Sequence, residues 1–555
     1  MKTTIILILL LISTGYTQWN SIYTPTPEGD LPFAVAKGNS NTVDLNGNCY
    51  VTGFVNEFSW SSKDIVTIKY NSSGDTAWVR TYNGSANADD EGTAVTTDAL
   101  GNVYVTGYAS VTFKYYDVIL LKYSADGSLL WAKTYGITGS YREDRALSIS
   151  LDEFCNIYIT GYGTGSDGGK DIIISKYDKD GYRKWTRLED GAYNYNAEGH
   201  GIVVDRSGNI CITGFVQTQY NGDDIIVNKY NSSGLLIWST TYNNNNYNEE
   251  DKAWGIVVDE TDNIYISGHT TINSSMQNTD ALTLKLNSSG TLLWEAVYNG
   301  TGNEEDRAWG IVVDTDGSIF IGGYTTAADF NQNYLTVKYD SEGSQQWVAE
   351  YNGTGNGEDY ANAIGIVVNN GIKSIVVTGA SWGTEYNHDY ATVKYDITTG
   401  EQTNASRFSM TGYSDDIATD LAILDNVVCI TGYSELIFEN SSGNSSIVTQ
   451  NLNWGTSSEL SSLVNIPVNF SLNQNYPNPF NPTTTIDFSL PNSALVKMVI
   501  YDILGKQVDV LINQNLSSGR HKITFNAAKL SSGIYFYELT TSDGFRSVKK
   551  MNLIK

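Results

Sequence analysis

Basic residues, prolines, histidines, cysteines and long apolar runs are all scarce in this chain, and each scarcity removes a class of protein. Only 34 lysines and arginines face 61 acidic residues, a net charge of −27. Phosphate backbones and anionic lipids need basic surface, so nucleic acid is excluded as a partner, while cations, basic proteins and neutral glycans are permitted. The four histidines, His200, His269, His388 and His521, form no HExxH and no zinc-ligand spacing, which leaves metalloenzyme chemistry without footing. No GxSxG elbow or phosphate loop stands in its required strand-to-helix setting. One apolar run, Ile5 to Ile12, follows Lys2 and leads into small and polar residues up to Thr17. It is too short to cross a bilayer and reads as a secretory signal peptide over residues 1–17, leaving no transmembrane segment in the mature chain. Beyond it no window has helical periodicity.

What the chain does contain is repetition. A Thr-Gly, Ser-Gly or Gly-Gly step recurs at Gly53, Gly107, Gly161, Gly214, Gly268, Gly323, Gly379 and Gly432. A near-constant interval of about 54 residues marks a repeat architecture. Each unit holds four short runs of β-branched and aromatic residues, such as Ile202 to Asp205, Ile210 to Thr213, Ile225 to Lys229 and Leu235 to Trp238. Gly, Asn, Asp and Ser separate them, so they read as four strands joined by tight turns. Four strands per unit describe a β-propeller blade, with an open solenoid as the competitor. A propeller also explains how 555 residues avoid one oversized core, since each sheet packs only on its neighbours.

Closure is argued from a spacing. Trp followed four residues later by Tyr opens most last strands, as at Trp78 and Tyr82 or Trp294 and Tyr298, and the same pair stands at Trp19 and Tyr23, ahead of the first complete unit. The final unit ends on Ile447 to Asn451, a third strand, with no fourth to follow. The strand near Trp19 is therefore expected to complete the last blade and fasten the ring. That count gives about eight blades over residues 18–454, or seven if the poorly matched last unit forms none.

Three of the eight prolines fall in NYPNPFNP, residues 475–482. Proline so concentrated marks a boundary, because it cannot sit inside a sheet ladder. A linker is assigned to residues 455–470. Six or seven short alternating segments then predict a small immunoglobulin-like β-sandwich over residues 471–555. Here the charge reverses, with nine basic residues against five acidic ones.

These last blocks, NYPNPFNPTTTIDFSLP, VIYDILGKQV, LSSGIYFYELT and the basic VKKMNLIK, resemble the C-terminal sorting domain of the type IX (Por) secretion system of Bacteroidetes and related bacteria. The resemblance implies that residues 471–555 engage the secretion machinery and direct export across the outer membrane. The domain is then removed or replaced by attachment to surface lipopolysaccharide, so the protein is secreted or held at the outer-membrane surface. The repeats, with GNVYVTGY at residues 101–108 and DIIVNKYNSSG at residues 224–234, resemble the bacterial beta-propeller repeat family, which implies fold more than activity.

Three repeated residue sets carry the candidate chemistry. Asp90, Asp144, Asp251, Asp306, Asp359 and Asp416 precede the first strands at equivalent places around the ring. Clustered carboxylates suit calcium, while a single Asp in a turn caps backbone N–H groups. Asp64, Asp117, Asp171, Asp224, Asp280 and Asp389 each stand five residues before a Lys, from Lys69 to Lys394, and read as edge and turn pairings. The Trp series is expected to fill the seams between blades. Trp254, Trp309 and Trp382 lie off that series, as does Trp60, and are candidates to stack on a ligand such as a sugar ring.

Cys49, Cys155, Cys211 and Cys429 all fall in or beside second strands. Cys49 and Cys429 belong to adjacent blades once the ring closes. Counted back from Gly53 and Gly432 they stand at four and three residues, and this opposite parity predicts side chains on opposite sheet faces, which argues against a disulfide. Recurrence argues for a non-catalytic extracellular binding or scaffold protein that holds a glycan, a protein or mineral ions on its loops. The alternative is a secreted polysaccharide-degrading enzyme: a glycoside hydrolase needs only two carboxylates, and a lyase could use His200 and Tyr193.

Overall fold

A computed structural model of the protein describes residues 19–23, 35–56, 62–112, 115–137, 142–165, 168–190, 195–218, 222–244, 250–273, 278–384, 387–410, 414–438, 441–452, 471–472, 474–475, 477–490, 494–516, 519–542 and 544–554. The signal peptide, the linker, Trp60, Tyr193 and Trp454 lie outside the described residues. Ten antiparallel sheets account for every described strand.

Eight of these sheets have four strands each and are the blades, numbered here in chain order. Blades one to seven span residues 35–82, 90–135, 144–189, 197–242, 252–298, 306–351 and 359–408, and blade eight has three strands within residues 414–451. Its fourth strand is Trp19–Tyr23, paired antiparallel with Ser441–Asn451 so that Trp19 faces Asn451 and Tyr23 faces Ile447. The count is eight, and the amino-terminal strand fastens the ring as its Trp and Tyr spacing predicts. Successive first strands pack on one another and are the innermost strands.

Local chemistry explains the hairpins. In blade one the Asp44 carboxylate ending the first strand accepts the N–H of Asn46 at 2.8 Å and of Asn48 at 3.0 Å, while its other oxygen holds the Tyr50 hydroxyl at 2.8 Å. Blades two, three and five repeat this turn with Asp98 and Tyr104, Asp152 and Tyr158, and Asp259 and Tyr265. Asp thus closes a turn that glycine, as in Gly47 at φ +74°, allows to reverse. Blade four has Cys211 where these blades have Tyr, and there Asp205 instead meets Lys229 in a buried ion pair at 2.8 Å.

Apolar clusters fill the seams, each drawn from two adjacent blades. The residue three before the glycine of one blade meets the residue four before the glycine of the next: Tyr50 with Val103, Tyr104 with Ile157, Tyr158 with Ile210. The parity argument about the cysteines is corrected by this geometry. Blades pack face to face, so residues that meet across a seam come from opposite faces of equivalent sheets. Opposite parity is the condition for contact, and Cys49 and Cys429 share one buried cluster at the seam between blades eight and one.

The outer edge of a seam is clamped by the Trp series. Trp294 lies under the turn glycine Gly343 of the following blade, where an added Cβ would come within 2.7 Å of the indole. Its Nε1 donates to the Ser341 carbonyl at 3.0 Å. The Asp and Lys series separates here. Lys285 donates to that same carbonyl at 2.9 Å, and Lys69, Lys122, Lys176, Lys229 and Lys338 reach the matching turn of the next blade.

The C-terminal residues form two sheets of their own, one with strands Ser471–Leu472, Thr483–Leu490 and Gly519–Asn526, the other with Gln507–Leu516, Ala494–Asp502, Gly533–Thr541 and Arg546–Leu553. Alternate residues of both, including Ile486, Phe488, Val496, Met498, Tyr537 and Met551, meet in one core, which makes a β-sandwich. The proline-rich block is pinned to it: Asn475 donates its N–H to the Tyr537 hydroxyl at 2.8 Å, and the Phe480 N–H bonds the Asn552 carbonyl at 3.0 Å.

Candidate functional site: the aromatic arc of blades four to seven

Each of the first seven blades carries a β-bulge in its innermost strand, and the bulged residues are Asn39, Thr93, Leu147, His200, Trp254, Trp309 and Asn362. A bulge re-aims one side chain. Where that residue is polar it ties its blade to the next: Asn39 donates to the Gly92 carbonyl at 2.9 Å, Thr93 to Ala146 at 2.7 Å, His200 to Ala253 at 2.9 Å, and Asn362 to Ala418 at 2.7 Å. Thr419 of blade eight completes the series by donating to Gly38 at 2.8 Å. Trp254 and Trp309 replace these donors with indoles. Five blades thus keep a structural rule from which three depart, blade three with the apolar Leu147 and the adjacent blades five and six with indoles.

The indoles build an arc of two aromatic groups, one around Trp254 and one around Trp309. The Trp254 ring stacks on the His200 imidazole of blade four, centroids 4.4 Å apart and planes within 2°. Trp309 meets Tyr324 edge-on at 5.3 Å and Tyr360 of blade seven at 6.0 Å. Tyr360 lies 5.6 Å from His388, which in turn lies 4.8 Å from Trp382. Trp309 and Trp382 are therefore linked through Tyr360 and His388, Trp254 stands at the equivalent bulge of the preceding blade, and each is half-buried, with part of its surface in solvent.

Polar side chains under the arc are fully engaged. Trp254 Nε1 donates to His269 Nδ1 at 3.3 Å, so Nε2 carries the imidazole proton toward Glu250 Oε1, also at 3.3 Å. Burial pushes His269 below its ordinary pKa and keeps it neutral. Hydrogen bonds from His269 and Lys252 hold Glu250 down at about 2 against burial. For Glu198 burial pushes upward, but hydrogen bonds from His200 and Lys170 outweigh it and leave the group at about 2. The sequence assigns the histidines to different blades; the fold joins His200 and His269 through Trp254. Cations cover the neighbouring aromatics, with Arg145 4.2 Å over Tyr108 and Lys252 4.7 Å over Phe215.

The repeated aspartates occupy another position, at the start of each first strand. Asp90, Asp144, Asp251, Asp306, Asp359 and Asp416 are buried. Asp306 accepts the N–H of Gly300 at 2.6 Å and of Thr326 at 3.0 Å; Asp359 accepts those of Gly353 at 2.7 Å and Trp382 at 2.8 Å. Asp90 does the same with Gly84 and Ser110, Asp144 with Ile137, Asp251 with Asn244 and Thr271, and Asp416 with Met410. Each carboxylate thus accepts at least one backbone N–H, the geometry of a loop cap. Among the described residues no three His, Cys, Asp or Glu side chains gather to hold a metal ion.

At three seams a member of the second Asp series comes to one of the first, a meeting that neither set of spacings reveals. Burial, reinforced by the neighbouring carboxylate of Asp306, pushes Asp280 up to about 7. Burial and Asp144 raise Asp117 to about 6. Asp251, beside Asp224, is held at about 6, again chiefly by burial.

The description of a secretion system C-terminal sorting domain matches residues 474–554, and that of a beta-propeller repeat matches residues 80–114. No curated protein matches the chain. Among solved structures, Sqt1 from Chaetomium thermophilum is similar over 78% of this chain and 100% of its own, at 9% identity and a TM-score of 0.48. The WD40 domain of SCAP from fission yeast is similar over 79% of this chain and 98% of its own, at 11% identity and 0.42. PorZ, a surface component of the type-IX secretion system of Porphyromonas gingivalis, is similar over 93% of this chain and 81% of its own, at 11% identity and 0.29. Likenesses this distant say nothing about ligands. On its own sheets and its tail, the chain is a secreted or cell-surface β-propeller protein with a beta-propeller repeat at residues 80–114 and a secretion system C-terminal sorting domain at residues 474–554.

Proposed function

We propose that the propeller is a non-catalytic binding scaffold at the cell exterior and that the aromatic arc takes a neutral glycan. The observation that carries this reading is the replacement of ring-tying donors by Trp254 and Trp309 at two adjacent bulges. Half-exposed indoles in series offer the apolar faces of sugar rings a stacking surface. A net charge of −27 disfavours acidic chains and leaves neutral ones unopposed. A binding rather than a catalytic role is supported by the engagement of both His269 nitrogens and by the low pKa values of Glu198 and Glu250, which suit fixed ion pairs and not proton transfer near neutrality.

The test is a glycan array of neutral and acidic polysaccharides probed with the full secreted chain, followed by tryptophan fluorescence titration of each hit. Trp254→Ala and Trp309→Ala are expected to weaken binding of a neutral glycan at least tenfold each while the far-ultraviolet spectrum stays unchanged. Binding unaffected by both variants defeats the arc as the site, and release of shortened or unsaturated sugars from a hit returns the enzyme reading.

A further inference from the structure

At the two positions that meet across every seam, the seam between blades eight and one differs from the others. The two residues that meet across a seam, three and four places before the glycines, are apolar or aromatic elsewhere: Tyr265 meets Ile319, Phe320 meets Ile375, and even Cys211 meets Ile264. At the closing seam both places are cysteine. Cys49 and Cys429 are each wholly buried and belong to the same cluster with Tyr70 and Ile447. Asn41 fixes the backbone beside them, its Nδ2 donating to the Cys429 carbonyl at 3.1 Å. This is also the seam where the two ends of the repeat array meet, crossed by the chain only between Tyr23 of blade eight and Val35 of blade one.

We infer that Cys49 and Cys429 form a disulfide in the exported protein, a covalent clasp across the seam where the ring is otherwise closed only by non-covalent contacts. The sorting domain takes the chain out of the reducing cytosol, where such a bond does not persist, into a compartment where it does. The oxidant is a second disulfide, on a small molecule or an oxidoreductase. One cysteine thiolate attacks it, forming a mixed disulfide and expelling one oxidant thiol; the other cysteine thiolate attacks the mixed disulfide and expels the second. One sulfur–sulfur bond forms, one breaks, and the two protons lost by the protein leave on the two oxidant thiols. Because both sulfurs are inaccessible in the closed ring, the exchange takes place while the last blade is docking, and the finished bond is shielded from reductants. Burial also raises the Cys429 thiol, which favours oxidation before docking over attack within the closed seam.

The full chain collected after export is denatured in guanidinium with N-ethylmaleimide, without reductant, then digested and weighed. Cys155 and Cys211 are expected to be alkylated, and the Cys49 and Cys429 peptides to appear joined, two hydrogens lighter than their sum and separable by dithiothreitol. Alkylation of all four cysteines, or a bond joining any other pair, overturns the inference. A second measurement concerns the clasp's effect and avoids variants that fail to fold. Wild-type protein refolded in a glutathione redox buffer is compared with wild type refolded in dithiothreitol and with Cys49→Val, which places at the seam the residue that blade two has there. The oxidised ring is expected to melt on the order of 5 °C above both. Equal melting of all three overturns the clasp.

Discussion

The closing seam and the seam between blades five and six do the same job with different chemistry. The internal seam is an apolar cluster clamped at its edge, where Trp294 and Lys285 share the Ser341 carbonyl. The closing seam adds directional polar contacts. Asp420 accepts the Asn41 N–H at 2.8 Å, and Ser445 Oγ bonds both the N–H and the carbonyl of Ala36, 409 residues away, at 2.9 and 3.0 Å. Lys37 pairs with Glu435 at 2.8 Å and lies 4.0 Å over the Tyr433 ring. The reason is connectivity. Blades five and six are joined by a short loop, so their register is nearly set before they pack and non-directional burial suffices. The first three strands of blade eight must find blade one from the opposite end of the ring, and hydrogen bonds that are satisfied in only one register select it.

That contrast can be broken in three ways, in order of expected effect. Trp294→Ala removes the clamp of an internal seam and leaves a void under Gly343; it should cost about 3 kcal/mol in denaturant unfolding. A loss below about 1 kcal/mol would show that internal seams do not depend on the clamp. Asp420→Ala leaves the Asn41 N–H without its acceptor and should cost about 2 kcal/mol. Its effect should exceed that of Asn39→Ala, a bond to the next blade between neighbours in sequence, because only the closing seam needs selection. The reverse order would refute the connectivity argument.

The smallest effect is electrostatic and belongs to the internal seams. Asp280 and Asp251 have folded pKa values of about 7 and about 6, above their unfolded values, so the folded ring holds protons that the unfolded chain releases. Stability from these groups is full below pH 4 and is lost as pH rises through 6 to 7. Melting temperature is therefore expected to fall between pH 5 and pH 8. Asp280→Asn, which cannot ionise beside Asp306, should flatten that slope and stabilise the protein at pH 8 by on the order of 1 kcal/mol. An unchanged slope would mean that the carboxyl pairs across the seams are not what titrates.

Much of the fold was legible because a repeat writes its own period. The glycine steps count the blades, turn residues such as Asp44 mark the hairpins, and the displaced Trp19 and Tyr23 reveal closure, since all of these are local patterns repeated until they cannot be accidental. The tail was legible for the same reason, as contiguous blocks. Less of the candidate site was. Trp254 and Trp309 are visible as a repeated pair, but their meaning depends on the bulge that turns them and on His200 and Tyr360 in flanking blades, contacts between residues more than 50 positions apart.

The sequence by itself determined which strands form, how many blades they make and where the chain is sent, because hydrophobic alternation, turn chemistry and a sorting tail are read within a few residues of one another. The tertiary structure alone decided what meets across the seams. Sheets that face each other bring opposite faces together, and this brings Cys49 to Cys429, while the packing of successive blades brings Asp280 to Asp306 and the equivalent bulges His200 and Trp254 to one another, pairings that no count along a single strand contains.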